Sequence, residues 1–227
     1  MTLRAVVLAA ASLAGCGSFT HFQTGRSMHA GQVAYDIQGA NIAEMEGTHI
    51  AMRFRVGLGR GFEIGSETDI ISLGLAESGQ STEFGLLMGD LKWQFLEEPR
   101  EDEEGGAPVS MAVGFGGGSG FLTDFYFGQA TVSRRFGFVE PYVAWRYQRF
   151  RLDVNTHDEG DLEDLEDSFI GKIFEEADGT RFGLHHLFLG VKLWLSDGIY
   201  LIPEVSWIYG DADGVGSIGL AFGGQTP

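Results

Sequence analysis

The stretch Thr-His-Ile-Ala-Met-Arg-Phe-Arg-Val-Gly-Leu, residues 48–58, alternates without a break. Ile50, Met52, Phe54, Val56 and Leu58 fall on one side, and His49, Ala51, Arg53, Arg55 and Gly57 on the other. A strand sends successive side chains to opposite faces, so the two sets stay separate; a helical period of 3.6 would mix them. The same alternation recurs in residues 30–38, 62–71, 84–96, 109–117, 123–136, 139–152, 181–195, 199–209 and 217–223. The expected fold is therefore all-β, an antiparallel up-and-down barrel of about ten strands, with eight as the alternative count. Several segments exceed the roughly 5–6 residues usual for a globular strand. They match the roughly 9–11 residues that a tilted strand needs to cross a bilayer.

Alternation alone does not say which face is outside. A soluble barrel is apolar inside; a transmembrane barrel is apolar outside. Three features of the sequence favour the second. Short connections at residues 59–61, 137–138 and 196–198 alternate with longer ones at 39–47, 72–83, 116–122, 153–180 and 210–216; the acidic stretch 97–107 is the exception. Short turns on one rim and long loops on the other are the transmembrane pattern. Both ends of the barrel then lie on the short-turn rim. Aromatics also gather at strand ends, where amphipathic rings favour the headgroup layer. Trp93, Phe95, Phe136, Phe138, Trp194, Tyr200 and Phe222 are expected at one rim, and Tyr35, Tyr126, Phe150, Trp207 and Tyr209 at the other. On these features residues 30–223 resemble the bacterial outer-membrane β-barrel superfamily, in its small-barrel range. The resemblance implies insertion by the outer-membrane assembly machinery. The ending Ala221-Phe222-Gly223-Gly224-Gln225-Thr226-Pro227 departs from the terminal aromatic of many members, and residues 224–227 read as a short tail.

The chain has 227 residues, is 44% apolar and carries a formal net charge of −17. That charge excludes the clustered cations that phosphate-backbone recognition needs, so no nucleic-acid partner is expected. Glycine, at 35 residues against 5 prolines, suits many strands joined by turns. Cys16 is the only cysteine, so an internal disulfide is excluded. It follows Arg4, an apolar run from Ala5 to Ala14, and Gly15. This is the layout of a secretory signal. The run Leu13-Ala14-Gly15-Cys16 resembles the lipobox of bacterial lipoproteins, which implies cleavage before Cys16 and a lipid on it. Residues 1–15 then form the signal peptide and 16–29 a lipidated tether. The lipid would anchor the chain at the periplasmic leaflet of the outer membrane.

The polar face collects Arg53, Arg55, Glu63, Glu67, Asp69, Asp90, Lys92, Arg135, Arg146 and Glu204. In a barrel these line the lumen as a charge network, because charge taken out of water must be paired. Ten strands is well short of the roughly 16–18 that leave a wide aqueous channel. The expected role is structural, surface-interacting or that of a narrow conduit. Residues 153–180 are the most unusual stretch: Asp153, Asp158, Glu159, Asp161, Glu163, Asp164, Glu166, Asp167, Glu175, Glu176 and Asp178 face Lys172 alone. Carboxylate oxygens suit hard divalent cations. Asp158, Asp161, Asp164 and Asp167 are therefore candidate ligands, and a divalent bridge to lipopolysaccharide is one candidate partnership beside the outer-membrane lipids. The spacing is not that of an EF-hand. His185 and His186 point to opposite faces of one strand and do not act on one ligand together. His186, with Asp153 or Arg181 near it, is the candidate base of the alternative reading, a barrel enzyme acting on lipid or peptide. A soluble periplasmic lipid-binding barrel is the third reading. No cofactor is expected, since residues 116–120 lack the Gly-Lys-Ser/Thr of a phosphate loop.

Overall fold

The computed structural model describes residues 21–42, 47–75, 80–99, 107–120, 123–152, 181–209 and 215–226. Ten strands follow in order: β1 (Val33–Ile42), β2 (Gly47–Gly59), β3 (Phe62–Leu75), β4 (Gln80–Leu96), β5 (Ser110–Gly120), β6 (Thr123–Ser133), β7 (Val139–Leu152), β8 (Arg181–Trp194), β9 (Ile199–Tyr209) and β10 (Val215–Gln225). Each pairs antiparallel with its sequence neighbours, and β10 returns to β1 to close the barrel. Closure leaves no strand edge unpaired.

Each strand lies close to the segment that alternation marks, and the differences sit at the ends. β3 and β4 run on to pair Ser72 with Glu83 and Leu75 with Gln80. A ladder is made by backbone groups, so it continues past the residues whose side chains announce it. β10 runs through Gln225, and Thr226 bonds Val33 at both ends (Thr226 N to Val33 O, 2.8 Å; Val33 N to Thr226 Oγ1, 2.9 Å). Residues 224–226 therefore belong to the barrel seam rather than to a tail. β6 stops at Ser133, short of Arg135.

The rim that holds the start of β1 and the end of β10 is called here the termini rim. It carries the connections 60–61, 97–109, 134–138 and 195–198; the far rim carries 43–46, 76–79, 121–122, 153–180 and 210–214. The contrast in loop length read from the sequence thus reduces to the single insertion 153–180. The aromatic girdles also need correction. Tyr35 pairs with Gly224 and lies toward the termini rim. Phe150 and Tyr200 are buried inside the barrel.

The orientation of the faces is unambiguous. Ile37, Phe54, Ile64, Leu87, Phe115, Tyr126, Val143, Leu189, Trp207 and Leu220, one from each strand, point outward and are at least 39% exposed. The inward positions hold the charged and amide side chains. This is the reverse of a soluble barrel. The inner wall is itself divided. β2, β3 and β4 contribute Arg53, Arg55, Glu63, Glu67, Asp69 and Lys92. β7 to β10 contribute Tyr142, Ala144, Phe188, Tyr200, Ile202 and Ala221, an apolar cluster.

Candidate functional site

The lumen is not left to side chains alone. Residues 21–32, ahead of β1, turn in at the termini rim and run up between the two walls. His21, Phe22, Gln23 and Thr24 are buried. The entry is set on β2, where Gly31 N donates to Gly57 O at 2.8 Å and Gly57 N to Gln32 O at 2.9 Å. Position 57 must be glycine, because a Cβ there would lie 2.1 Å from the His29 carbonyl oxygen. Phe22 then seats in the apolar cluster against Tyr142, Phe188 and Ile202.

Ahead of residue 29 the strap pairs with no strand among the described residues, and its buried backbone groups need other partners. Buried side chains of the wall supply them. Glu204 accepts the amides of His21 (2.7 Å) and Phe22 (2.8 Å) on its two oxygens. Ser133 Oγ accepts Gly25 N at 3.0 Å, Gln94 Oε1 accepts Ser27 N at 2.6 Å and Glu63 Oε1 accepts Met28 N at 2.5 Å. Arg53 donates to the His21 carbonyl, and Lys92 Nζ to the carbonyls of Thr24 (3.2 Å) and Arg26 (2.7 Å). At the entrance Arg26 pairs with Glu98 at 3.3 Å.

The same side chains pair among themselves. Arg53 pairs with Glu67, and Arg55 bridges Glu63 (2.9 Å) and Asp90. Lys92 lies 3.0 Å from Glu63. His49 and Asp69 meet at 3.2 Å, both fully buried. Arg146 donates to Gln129 Oε1 at 3.3 Å and lies over the rings of Phe127 and Phe188. It also approaches His21 Nδ1 at 3.5 Å, which makes that nitrogen the acceptor and leaves Nε2–H to donate to Thr131 Oγ1 at 3.0 Å. Burial, then the guanidinium charges of Arg146 and Arg53, hold the His21 imidazole well below its usual pKa, so it stays neutral.

Of the charge network read from the sequence, Arg53, Arg55, Glu63, Glu67, Asp69, Asp90, Lys92, Arg146 and Glu204 line the lumen. Arg135 does not. It lies beyond the end of β6, exposed at the termini rim, with its Nε donating to Gly137 O and its guanidinium over Trp194. The tether reading of residues 16–29 is also corrected for the part described. Residues 21–28 fill the lumen, with their backbone bound by wall side chains and Phe22 seated in the apolar cluster. His186 points inward, 1% exposed, and neither ring nitrogen has a hydrogen-bond partner among the described residues. His185 points outward among Trp145, Tyr147 and Tyr209. Cys16, Asp153, Asp158, Asp161, Asp164 and Asp167 lie outside the described residues. Among the described residues no cluster has the make-up of a metal site.

Sequence reasoning missed the strap and its contacts at Thr131 and Ser133. Nothing in residues 17–29 has a period, and hydroxyls at inward positions do not announce a ligand. No protein-family profile matches the chain, and no curated protein matches it. Among solved structures it is similar to the N-terminal β-barrel domain of Pseudomonas aeruginosa OprF, at 11% identity and a TM-score of 0.40, covering 88% of this chain and 100% of that one. It is similar to the KdgM porin in complex with disordered oligogalacturonate, at 8% identity and a TM-score of 0.41, covering 83% and 98%. It is also similar to Neisserial surface protein A, at 10% identity and a TM-score of 0.32, covering 86% and 94%.

Proposed function

We propose that this chain is a bacterial outer-membrane barrel whose narrow lumen is held shut by its own N-terminal strap. The observation that carries the reading is the strap itself, with its backbone bound by buried side chains of β2, β3, β4, β6 and β9 inside a wall that is apolar on its outer face. Apolar side chains facing outward on all ten strands need lipid around them. In this reading the resting protein is a plugged barrel with a structural or surface-interaction role, and conduction requires the strap to leave. The termini rim faces the periplasm. The acidic insertion 153–180 faces outward, with a divalent bridge to lipopolysaccharide as its proposed contact.

A lipid on Cys16 completes the proposal. Only residues 17–20 separate Cys16 from His21, and a chain spans at most about 3.3–3.6 Å per residue. The lipid and the seated strap therefore pull on one short stretch, and Cys16→Ala is expected to seat the strap more firmly. Labelled palmitate should enter the wild-type chain and not this variant; equal labelling of both would sink the lipobox. Planar-bilayer recording tests the plug. The wild-type barrel is expected to be electrically silent, and a chain lacking residues 21–29 to show discrete steps. Steps of the same size from both chains would overturn the plug. Heat-modifiable migration in the outer-membrane fraction checks the barrel independently.

A further inference from the structure

The outer face of the barrel carries almost no charge. On the outward rows of the ten strands, the described side chains include three charged ones, Asp124, Arg149 and Arg151. All three lie at the far rim of β6 and β7. A cation on the lipid face is costly at the bilayer midplane and nearly free at the headgroup level, so these positions mark a depth. The outward row of β7 runs Val143, Trp145, Tyr147, Arg149, Arg151. It passes from apolar through aromatic to cationic, as hydrocarbon gives way to headgroups. Just below the arginines, the rings of Trp145, Tyr147 and Tyr209 gather around His185.

The two arginines are exposed, and neither makes an ion pair or hydrogen bond among the described residues. Asp124 stands opposite Arg151 on β6, and Arg181 stands opposite it on β8. One described carboxylate therefore faces two guanidinium groups. Arg149 has uncharged neighbours in the register, Tyr126 on β6 and Gly183 on β8. A Cβ at Gly183 would lie 2.5 Å from Tyr147 Oη. The Tyr147 hydroxyl thus reaches over Gly183, alongside Arg149, as a further donor.

Below Arg149 the outer wall is hollow. Gly128 and Ala130 of β6 form a floor. The register sets Phe115 and Val113 of β5 on one side of them, and Tyr147 and Trp145 of β7 on the other. A Cβ on Gly128 would meet nothing within 4 Å, and Phe115 is 64% exposed. Two strand spacings put the banks about 9–10 Å apart, which leaves room for one acyl chain. The groove runs from the arginines down into the apolar band.

We infer that the far rim of β6 and β7 holds one lipopolysaccharide molecule directly. A phosphate of its lipid moiety sits on Arg149 and Arg151, and one acyl chain lies in the groove over Gly128. A guanidinium is a planar fork that matches phosphate oxygens in pairs. The contact needs no divalent bridge, unlike the one proposed for residues 153–180. The inference rests on the barrel reading with the far rim outward; the strap and Cys16 play no part in it.

The folded full chain, in maltoside micelles with EDTA, is titrated with lipid A bearing two phosphates. A second titration uses the same lipid stripped of both phosphates. Native mass spectrometry counts bound lipid, and heat-modifiable migration checks the barrel of every variant. One saturable lipid per chain is expected, with the lower midpoint for the phosphorylated form. Arg149→Gln with Arg151→Gln should raise that midpoint about tenfold or more, as loss of charge-assisted hydrogen bonds does. Arg134→Gln with Arg135→Gln makes the same charge change at the termini rim and should leave it unchanged. Gly128→Leu fills the groove without touching a charge and should raise the midpoint for both lipids. It decides the matter if the arginine variant fails to fold. Equal midpoints for the two lipids, or for wild type and the Arg149/Arg151 variant, would overturn the site. If the heat-modifiable band is present with that result, the barrel stands and the lipid site falls.

Discussion

The two walls of the lumen hold one strap by different physics. The β2–β4 wall grips it with charge: Arg53 and Lys92 take its carbonyls, and Glu63 takes an amide. The β7–β10 wall grips it mainly by shape, with Phe22 seated among Tyr142, Phe188 and Ile202. Among the described residues, Glu204 is the one acid on that side to bind the strap backbone. The charged wall is also cross-linked to itself by ion pairs, whereas among the described residues the apolar wall is linked by neutral donors, Tyr142 to Glu204 and Ser206 to Ser217. Damage to the first should therefore reach the barrel, and damage to the second should stop at the strap.

The largest effect is expected on the charged side. Arg53→Met strands Glu67 and the His21 carbonyl together, and breaking a buried pair from one side costs about 3–5 kcal/mol. The urea midpoint of the folded band should fall sharply, and Arg53→Met with Glu67→Leu should recover much of the loss. Phe22→Ala, on the strap where it meets the other wall, empties an aromatic site, at about 3 kcal/mol or more. Here amide exchange should rise in residues 21–29 while the strands keep their protection. Loss of strand protection in Phe22→Ala would erase the distinction between the walls.

The walls also differ in how far they can be read in the sequence. Ile50 to Leu58 against His49 to Gly57 is enough to place the charged wall, because a strand period of two leaves one assignment per residue. The partner of Arg53 follows from the register of β2 on β3, where it stands opposite Glu67; Arg55 stands opposite Gly65 and reaches past it to Glu63 and to Asp90 on β4. The strap has no such period. Its positions are set by which backbone group meets which wall side chain, a long-range match between residues as distant as His21 and Glu204. Arg135 misleads for the reverse reason. Its parity suits the lumen, but Ser133 is the last residue of β6, and parity means nothing past a strand end.

Smaller substitutions sharpen the same comparison. Glu204→Ala removes the acceptor of two strap amides, at about 2–3 kcal/mol, and should raise exchange at His21 and Phe22 first. Ser133→Ala removes one neutral acceptor, from Gly25, at about 1 kcal/mol. The least effect under ordinary conditions, and the most conditional, belongs to His21, where the strap meets Arg146 and Thr131. Its imidazole titrates well below the usual value in the folded chain, because burial and two guanidinium groups oppose a second proton. The unfolded chain takes that proton near pH 6.5. The sign follows: the neutral ring favours the seated strap above about pH 6.5, and that contribution is lost as the pH falls. One such group changes stability by at most about 1.4 kcal/mol per pH unit. Exchange in residues 21–29 should therefore climb between pH 7 and pH 5 in the wild type, and more gently in His21→Asn, which has no proton to take up. Equal slopes would place the pH response in the charged wall and leave His21 a packing residue only.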